Sequence, residues 1–189
     1  SRDGKIHTEF TDQTRSDAVI AQNLGELKII DLLGVKYVLD RNENGSTQKN
    51  FPIDRFSLIY EQNGWKILEN TEALPRIFLA ANYKIYNNQE EFEKIFFDPN
   101  FNPAKTILLE KKPNGFEVGK YGKLSETKLI SYLPNEINID VNTDTNKLLF
   151  LSDTYYPGWK AYVDGEETKI YRADYAFRTV VVPAGHHIV

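Results

Sequence analysis

The chain has 189 residues, with 23 Lys and Arg against 27 Asp and Glu, and a formal net charge of −4. That scattered, slightly acidic balance argues against a nucleic-acid partner, which needs a concentrated basic face. The absence of cysteine excludes disulfides, thiolate catalysis and Cys-based zinc sites. With 41% hydrophobic residues the composition is globular, sufficient for one ordinary domain or two small ones.

Residues 1–16 are polar and linker-like. Asn23 followed by Glu26 reads as a capping box opening a helix that carries Leu24, Leu27, Ile30 and Leu33 on one face and closes at Gly34. Val35–Leu39 reads as a strand and residues 41–50 as a polar loop. Phe56–Glu61 and Trp65–Asn70 flank Asn63-Gly64, a hairpin signal. Ile77–Ala80 is a short strand, and Asn88 caps a helix over Gln89–Phe96 with Phe92, Ile95 and Phe96 inward.

From Thr106 onward every segment is short, extended and bounded by turns. Strands are expected over 106–110, 115–118, 127–133, 136–142, 147–152, 159–163, 167–172, 176–182 and 186–189. Pro113-Asn114-Gly115, Pro157-Gly158 and Asp164-Gly165 supply the punctuation. The expected fold is an α+β N-terminal portion over 1–104, followed by an antiparallel β-sandwich, jelly-roll or immunoglobulin-like, over 105–189. No stretch reaches the roughly 18 apolar residues of a membrane helix. Ser1–Thr14 has no signal-peptide pattern, and the chain closes at His186-His187-Ile188-Val189 inside a predicted strand. These features are expected of a piece of a longer protein whose last strand is cut short.

The chemical motifs are sparse. Asp140–Asn146 alternates oxygen ligands, but an EF-hand needs Gly and Glu where Thr145 and Leu151 stand. His186 and His187 are neighbours in a strand and point to opposite faces, so they cannot share a metal. A surface role is expected for both and for His7. Glu90-Glu91 and Glu166-Glu167 fall at a helix start and a hairpin tip, not across a cleft as glycoside hydrolysis requires. No phosphate-binding, dinucleotide or nucleophile-elbow motif occurs. No metal and no cofactor is called for.

The richest stretch is Leu148–Arg178, where Tyr155-Tyr156-Pro157-Gly158-Trp159 makes an aromatic corner before a basic, aromatic run. Trp159 has two readings: a core side chain, or a platform for a sugar ring with Asp153, Arg172 and Arg178 bonding its hydroxyls. Asp153, Tyr155, Trp159, Arg172, Tyr175 and Arg178 are the candidate ligand-facing or interface residues.

Four ordered blocks carry a family resemblance. They are Leu32–Leu39 (LLGVKYVL), Ala73–Leu79 (ALPRIFL), Ser152–Gly165 (SDTYYPGWKAYVDG) and Tyr171–Gly185 (YRADYAFRTVVVPAG). They resemble the C-terminal extracytoplasmic part of the bacterial YfhO family, multi-pass membrane proteins regarded as GT-C-type glycosyltransferases. The resemblance implies a parent enzyme that takes sugar from a polyprenyl-phosphate donor outside the cytoplasmic membrane, with cell-envelope polymers such as teichoic acids as acceptors. The family's catalytic acidic residues lie between early membrane helices, so none carries over to this chain. The expectation is therefore a non-catalytic domain on the extracytoplasmic face of the bacterial cytoplasmic membrane. Its partners are the remainder of its own membrane-embedded chain and an acceptor glycan or teichoic-acid-like polymer. The alternatives are a stand-alone carbohydrate-binding β-sandwich and a purely structural or interaction domain.

Overall fold

The computed structural model describes residues 24–41, 51, 54–118 and 124–189, with side chains of the first helix described from Lys28. The expected cap at Asn23 and the loop over 42–50 lie outside the described residues. The chain divides into two compact units, Ser1–Leu74 and Pro75–Val189.

In the first unit, α1 (Leu24–Leu32) precedes a three-stranded antiparallel sheet ordered β1-β3-β2, from β1 (Tyr37–Arg41), β2 (Phe56–Gln62) and β3 (Trp65–Asn70). Gly34 ends α1 at φ +67°, donating to the Asp31 carbonyl at 2.9 Å while the Val35 N–H reaches Ile30 at 2.9 Å. This double closure is the Schellman motif. It occupies the Val35 amide, and β1 therefore starts at Tyr37, later than expected. Leu32 is buried and Leu33 is 50% exposed, so the inward face runs through Leu32 rather than Leu33. Phe56 and Leu68 form the core with Ile30, Val38 and Phe51 against them. Beside it, the Asp31 carboxylate accepts from Arg55 and, at 2.9 Å, from the Asn70 side chain. Burial nonetheless raises the Asp31 pKa. The β2–β3 turn has Asn63 at φ 50° and Gly64 at φ 79°, the paired positive values of a type I′ hairpin.

The second unit holds β4 (Ile77–Ala80), β5 (Asn82–Ile85), α2 (Gln89–Phe96), β6 (Thr106–Leu109), β7 (Ser125–Leu133), β8 (Glu136–Thr143) and β9 (Lys147–Leu151). There follow β10 (Ala161–Val163), β11 (Glu166–Thr168), β12 (Tyr171–Ala173), β13 (Phe177–Val182) and β14 (Gly185–Ile188). Six strands form a sheet in the order β4-β9-β13-β12-β6-β5, three form β14-β8-β7, and β10-β11 is a hairpin. Only one residue separates β4 from β5, yet they lie at opposite ends of the six-strand order. The sheet must therefore curl until its two edges meet at Ala81, as strand twist allows.

The sheet is mixed. β5 and β6 are parallel, joined through α2, because parallel neighbours need a crossover. The unit is β-rich, as expected, but this pair departs from the expected antiparallel pattern. The sequence reading also places a domain boundary near residue 105. Here β4 and β5 stand in the same sheet as β9, β12 and β13. Two further strand expectations change. Residues 115–118 are a turn-rich loop, with the Gly115 carbonyl accepting from Asn146 at 2.9 Å and Phe116 buried against Tyr83. The predicted strand over 167–172 breaks between β11 and β12, which pair with different partners.

The two larger sheets share a core. Ile139 and Val141 of β8 pack on Leu149 of β9 and on Val180 and Val182 of β13. On the opposite face of β9, Phe150 meets Phe78 at 4.7 Å and Phe177 at 5.4 Å between ring centroids. Helix α2 buries Phe92 and Phe96. The Asn88 side chain caps it, accepting from the Glu91 N–H at 2.9 Å, while the Glu91 carboxylate accepts from the Asn87 N–H at 2.9 Å. Asn88→Ala should lower stability by about 1 kcal/mol. Chemical denaturation checks this, and an unchanged midpoint would show that the cap contributes nothing.

Candidate functional site

The candidate residues lie mainly along one end of the curled sheet. Arg178 has the same strand parity as Val180 and Val182, so it faces the β8 side, and it stands directly opposite Arg172 in the β12–β13 pairing. Its guanidinium donates to Asp153 at 2.9 Å and lies over the Trp159 ring at 4.2 Å from the centroid. Asp153 also accepts from Arg76 at 2.7 Å and from the Tyr132 hydroxyl at 2.8 Å. Arg76 in turn stacks on Tyr132 at 5.0 Å. On the other side, Arg172 pairs with Glu110 and lies 5.3 Å from the Tyr175 ring centroid. Glu110 also accepts from the Tyr86 hydroxyl at 3.3 Å.

The result is a strip of three arginines, each against an aromatic ring, held by two carboxylates. Its formal charge is one positive unit. Stacking and ion pairing fix the planar guanidiniums, which lysine could not reproduce. The three differ in access. The Arg178 side chain is 7% exposed, Arg172 39% and Arg76 58%. Arg76 and Arg172 thus offer spare N–H donors to solvent, and Arg178 is an internal strut.

The electrostatics follow. Burial pushes the Asp153 carboxyl up, but bonds from Arg76 and Tyr132 and the two guanidinium charges together hold it below its ordinary value. Burial lowers the Arg178 pKa, and an arginine still remains a cation. Burial and the Glu110 charge push Tyr86 up to about 12, so it stays a neutral hydrogen-bond donor.

Trp159 is half-buried. It belongs neither to the deep core nor to an open platform: one face is taken by Arg178, and the ring lines a cleft of about 780 Å³ with Tyr156, Tyr162, Ile137 and Ile170. The corner turns through a Trp159 N–H to Tyr156 carbonyl bond of 3.1 Å. A Cβ at position 158 would fall 2.8 Å from the exposed Tyr156 ring, which would have to swing aside. Tyr155 stands apart from the strip and ties the corner down through its N–H to the Ala176 carbonyl at 2.7 Å.

Arg76, Glu110 and Tyr132 have no sequence signal as site residues. Among the described residues no group of three His, Asp or Glu side chains could hold a metal ion. His187 is not a free surface side chain: its Nδ1 lies 2.6 Å from Asp164, which raises its pKa. Glu91 is occupied in capping and Glu167 pairs with Lys160 at 3.5 Å.

Residues 120–189 match the family described as bacterial membrane protein YfhO. Over this segment the chain is similar to the YfhO family. No curated protein and no solved structure matches the chain. The matching segment supplies Tyr132, Asp153, Trp159, Arg172, Tyr175 and Arg178, while Arg76 and Glu110 flank the earlier strands β4 and β6 of the same unit. YfhO is a membrane-protein family, and among the described residues no helix is long and apolar enough to cross a membrane.

Proposed function

We propose that the Pro75–Val189 unit is a non-catalytic extracytoplasmic domain of a polytopic YfhO-type membrane protein, and that its arginine–aromatic strip helps to recognise an acceptor glycan or cell-envelope polymer. The observation that carries this reading is the pairing of all three arginines with aromatic rings, with Arg76 and Arg172 left partly open. Rings give a sugar an apolar face, and fixed guanidinium edges bind hydroxyl or phosphate oxygens in bidentate fashion. The strip lies on the β-rich unit, and we take a two-sheet sandwich as its rigid support. Glycosyl transfer from a polyprenyl-phosphate sugar belongs, in this reading, to the membrane-embedded part of the parent protein. A structural or interaction role is the second reading, favoured by the burial of Arg178, whose charge is satisfied within the protein.

The test is titration of the purified chain with poly(glycerol phosphate) and with neutral oligosaccharides, followed by NMR. Saturable binding is expected. Arg172→Ala and Trp159→Ala should weaken it at least about tenfold, and Tyr155→Ala should leave it unchanged. Arg172→Ala removes a partly exposed pair and should cost about 1 kcal/mol of stability, so a tenfold binding loss in a variant that stays folded is not an unfolding effect. No binding at millimolar ligand, or binding indifferent to Arg172→Ala, would leave the structural reading.

A further inference from the structure

The tip of the β12–β13 hairpin has a backbone that its side chains do not call for. Ala173 pairs with Phe177, which leaves Asp174, Tyr175 and Ala176 as a three-residue loop. Asp174 has φ 42° and Tyr175 φ 71°. The Ala176 N–H donates to the Asp174 carbonyl at 2.9 Å, two residues back, which makes a γ-turn centred on Tyr175. With a positive φ at its centre this is the rare, strained form, and a bulky side chain is an outlier there. Glycine or asparagine would suit the position better.

The strain is held from both sides. Asp174 is tied to Leu108 of β6 through its own N–H and its Oδ1, at 2.9 and 2.8 Å, and the Ala176 carbonyl accepts from the Tyr155 N–H at 2.7 Å. Strain persists where the surroundings over-determine it, and such places gather at ligand sites. What the turn achieves is the placement of one ring. Tyr175 stands 5.3 Å from the Arg172 guanidinium and 5.5 Å from the Phe92 ring, tilted by 41°. Packing on Phe92 alone would favour a buried ring, yet Tyr175 is 46% exposed.

The groups around that ring have a definite chemistry. Arg172 pairs with Glu110, and both side chains are partly open to solvent. Glu110 is steadied by the buried Tyr86, whose hydroxyl donates to it at 3.3 Å. The charges of Arg172 and Glu110 cancel, so the surplus positive charge of the strip sits with Arg76 and Arg178 around Asp153. Phosphate therefore gains no electrostatic preference for the Tyr175 end. A donor and an acceptor fixed side by side instead match two neighbouring hydroxyls, one accepting from Arg172 and the next donating to Glu110. The aromatic face beside them suits the C–H face of the same sugar ring.

We propose that Tyr175 is the stacking ring of this end of the strip, and that the end takes a neutral pyranose through a vicinal diol. The inference rests on the glycan reading above and narrows it to one sugar class and one platform.

The test is NMR titration of the purified chain with cellotetraose, maltotetraose and mannotetraose as neutral probes, and with unsubstituted poly(glycerol phosphate). At least one neutral probe should bind saturably, move the Tyr175 ring and Arg172 guanidinium signals, and keep its affinity as NaCl rises from about 0.05 to about 0.5 M. Tyr175→Phe keeps both ring and strain and should bind as the wild type does. Tyr175→Gly and Tyr175→Asn lose both. They should melt within about 3 °C of the wild type or above it, and bind at least about tenfold more weakly. Binding that survives both variants, or that Tyr175→Phe also loses, would overturn the platform and leave the glycan reading standing. Lost binding together with a larger fall in melting temperature in both would make the ring a packing residue and overturn the platform too. Binding confined to poly(glycerol phosphate), and suppressed by salt, would overturn the neutral pyranose and leave the polymer reading in place. No binding of any probe would overturn both the inference and the reading it rests on.

Discussion

Asp153→Ala is expected to lower the stability of the Pro75–Val189 unit by about 3–5 kcal/mol, the scale seen when one partner of a buried ion pair is removed. For a unit of this size that is a fall in melting temperature on the order of 10–20 °C. Among the described residues Asp153 is the only carboxylate bonded to both Arg76 and Arg178, and the Arg178 side chain is 7% exposed. Without Asp153, Arg178 keeps its buried charge beside Trp159 and Arg76 loses its carboxylate partner, while Arg172 retains Glu110. Arg76→Ala is the control: that side chain is 58% exposed and should cost under about 1 kcal/mol. The pH dependence has a definite sign. The folded-state pKa of Asp153 lies below its ordinary value of 3.8. Its contribution is present above pH 3.8 and disappears as the pH falls through the lower folded value. The wild-type and Asp153→Ala curves should therefore converge in strong acid. A melting temperature within about 2 °C of wild type at pH 7 would show that the hub is dispensable.

The second large effect has the opposite sign. Asp174 is buried at the tip of the β12–β13 hairpin, with φ 42°. Its Oδ1 accepts from the Leu108 N–H at 2.8 Å, its own N–H donates to the Leu108 carbonyl at 2.9 Å, and Oδ2 has no partner. Burial pushes its pKa up to about 7, against the weaker pull of the Leu108 bond. A raised folded value means that the folded protein holds a proton the unfolded chain has lost. Stability should therefore fall as the pH rises from about 4 to about 7 and level off above that. At about 1.4 kcal/mol per pH unit the span is roughly 4 kcal/mol. Asp174→Asn keeps the acceptor for Leu108, suits a positive φ and cannot ionise. Its denaturation curves should lack this slope and show greater stability than wild type at pH 8. Coincident wild-type and variant slopes between pH 4 and 7 would rule the effect out. Asp153 and Asp164, with lowered values, act below pH 4, and the raised values of Asp31 and His187 add slopes common to both proteins, so the difference between the wild-type and Asp174→Asn curves isolates Asp174.

The candidate site was half legible. Asp153, Trp159, Arg172, Tyr175 and Arg178 stand out because one short stretch concentrates charge and aromatic rings. Their three companions do not. Arg76 lies 77 residues from Asp153 and reaches it because Ile77 of β4 pairs with Leu151 of β9. Glu110 meets Arg172 through the β6–β12 pairing, and Tyr132 arrives from the other sheet. Nothing local marks these meetings. The platform and core readings of Trp159 also stayed open, because its stacking partner, Arg178, is set by strand order.

The sequence by itself determined the local devices: the Asn63-Gly64 and Asp164-Gly165 turns, the Asn88 cap and the Gly34 helix end. In each, one or two residues have a backbone or hydrogen-bonding preference that neighbours within four positions satisfy. It also carried the YfhO likeness, which rests on ordered blocks of residues. The tertiary structure decided the curl that brings β4 and β5 to one sheet, the parallel β5–β6 pair and the arginine–aromatic strip. These depend on which distant strands pair, and pairing energy comes from burying both faces of a sheet at once, a quantity no single segment contains.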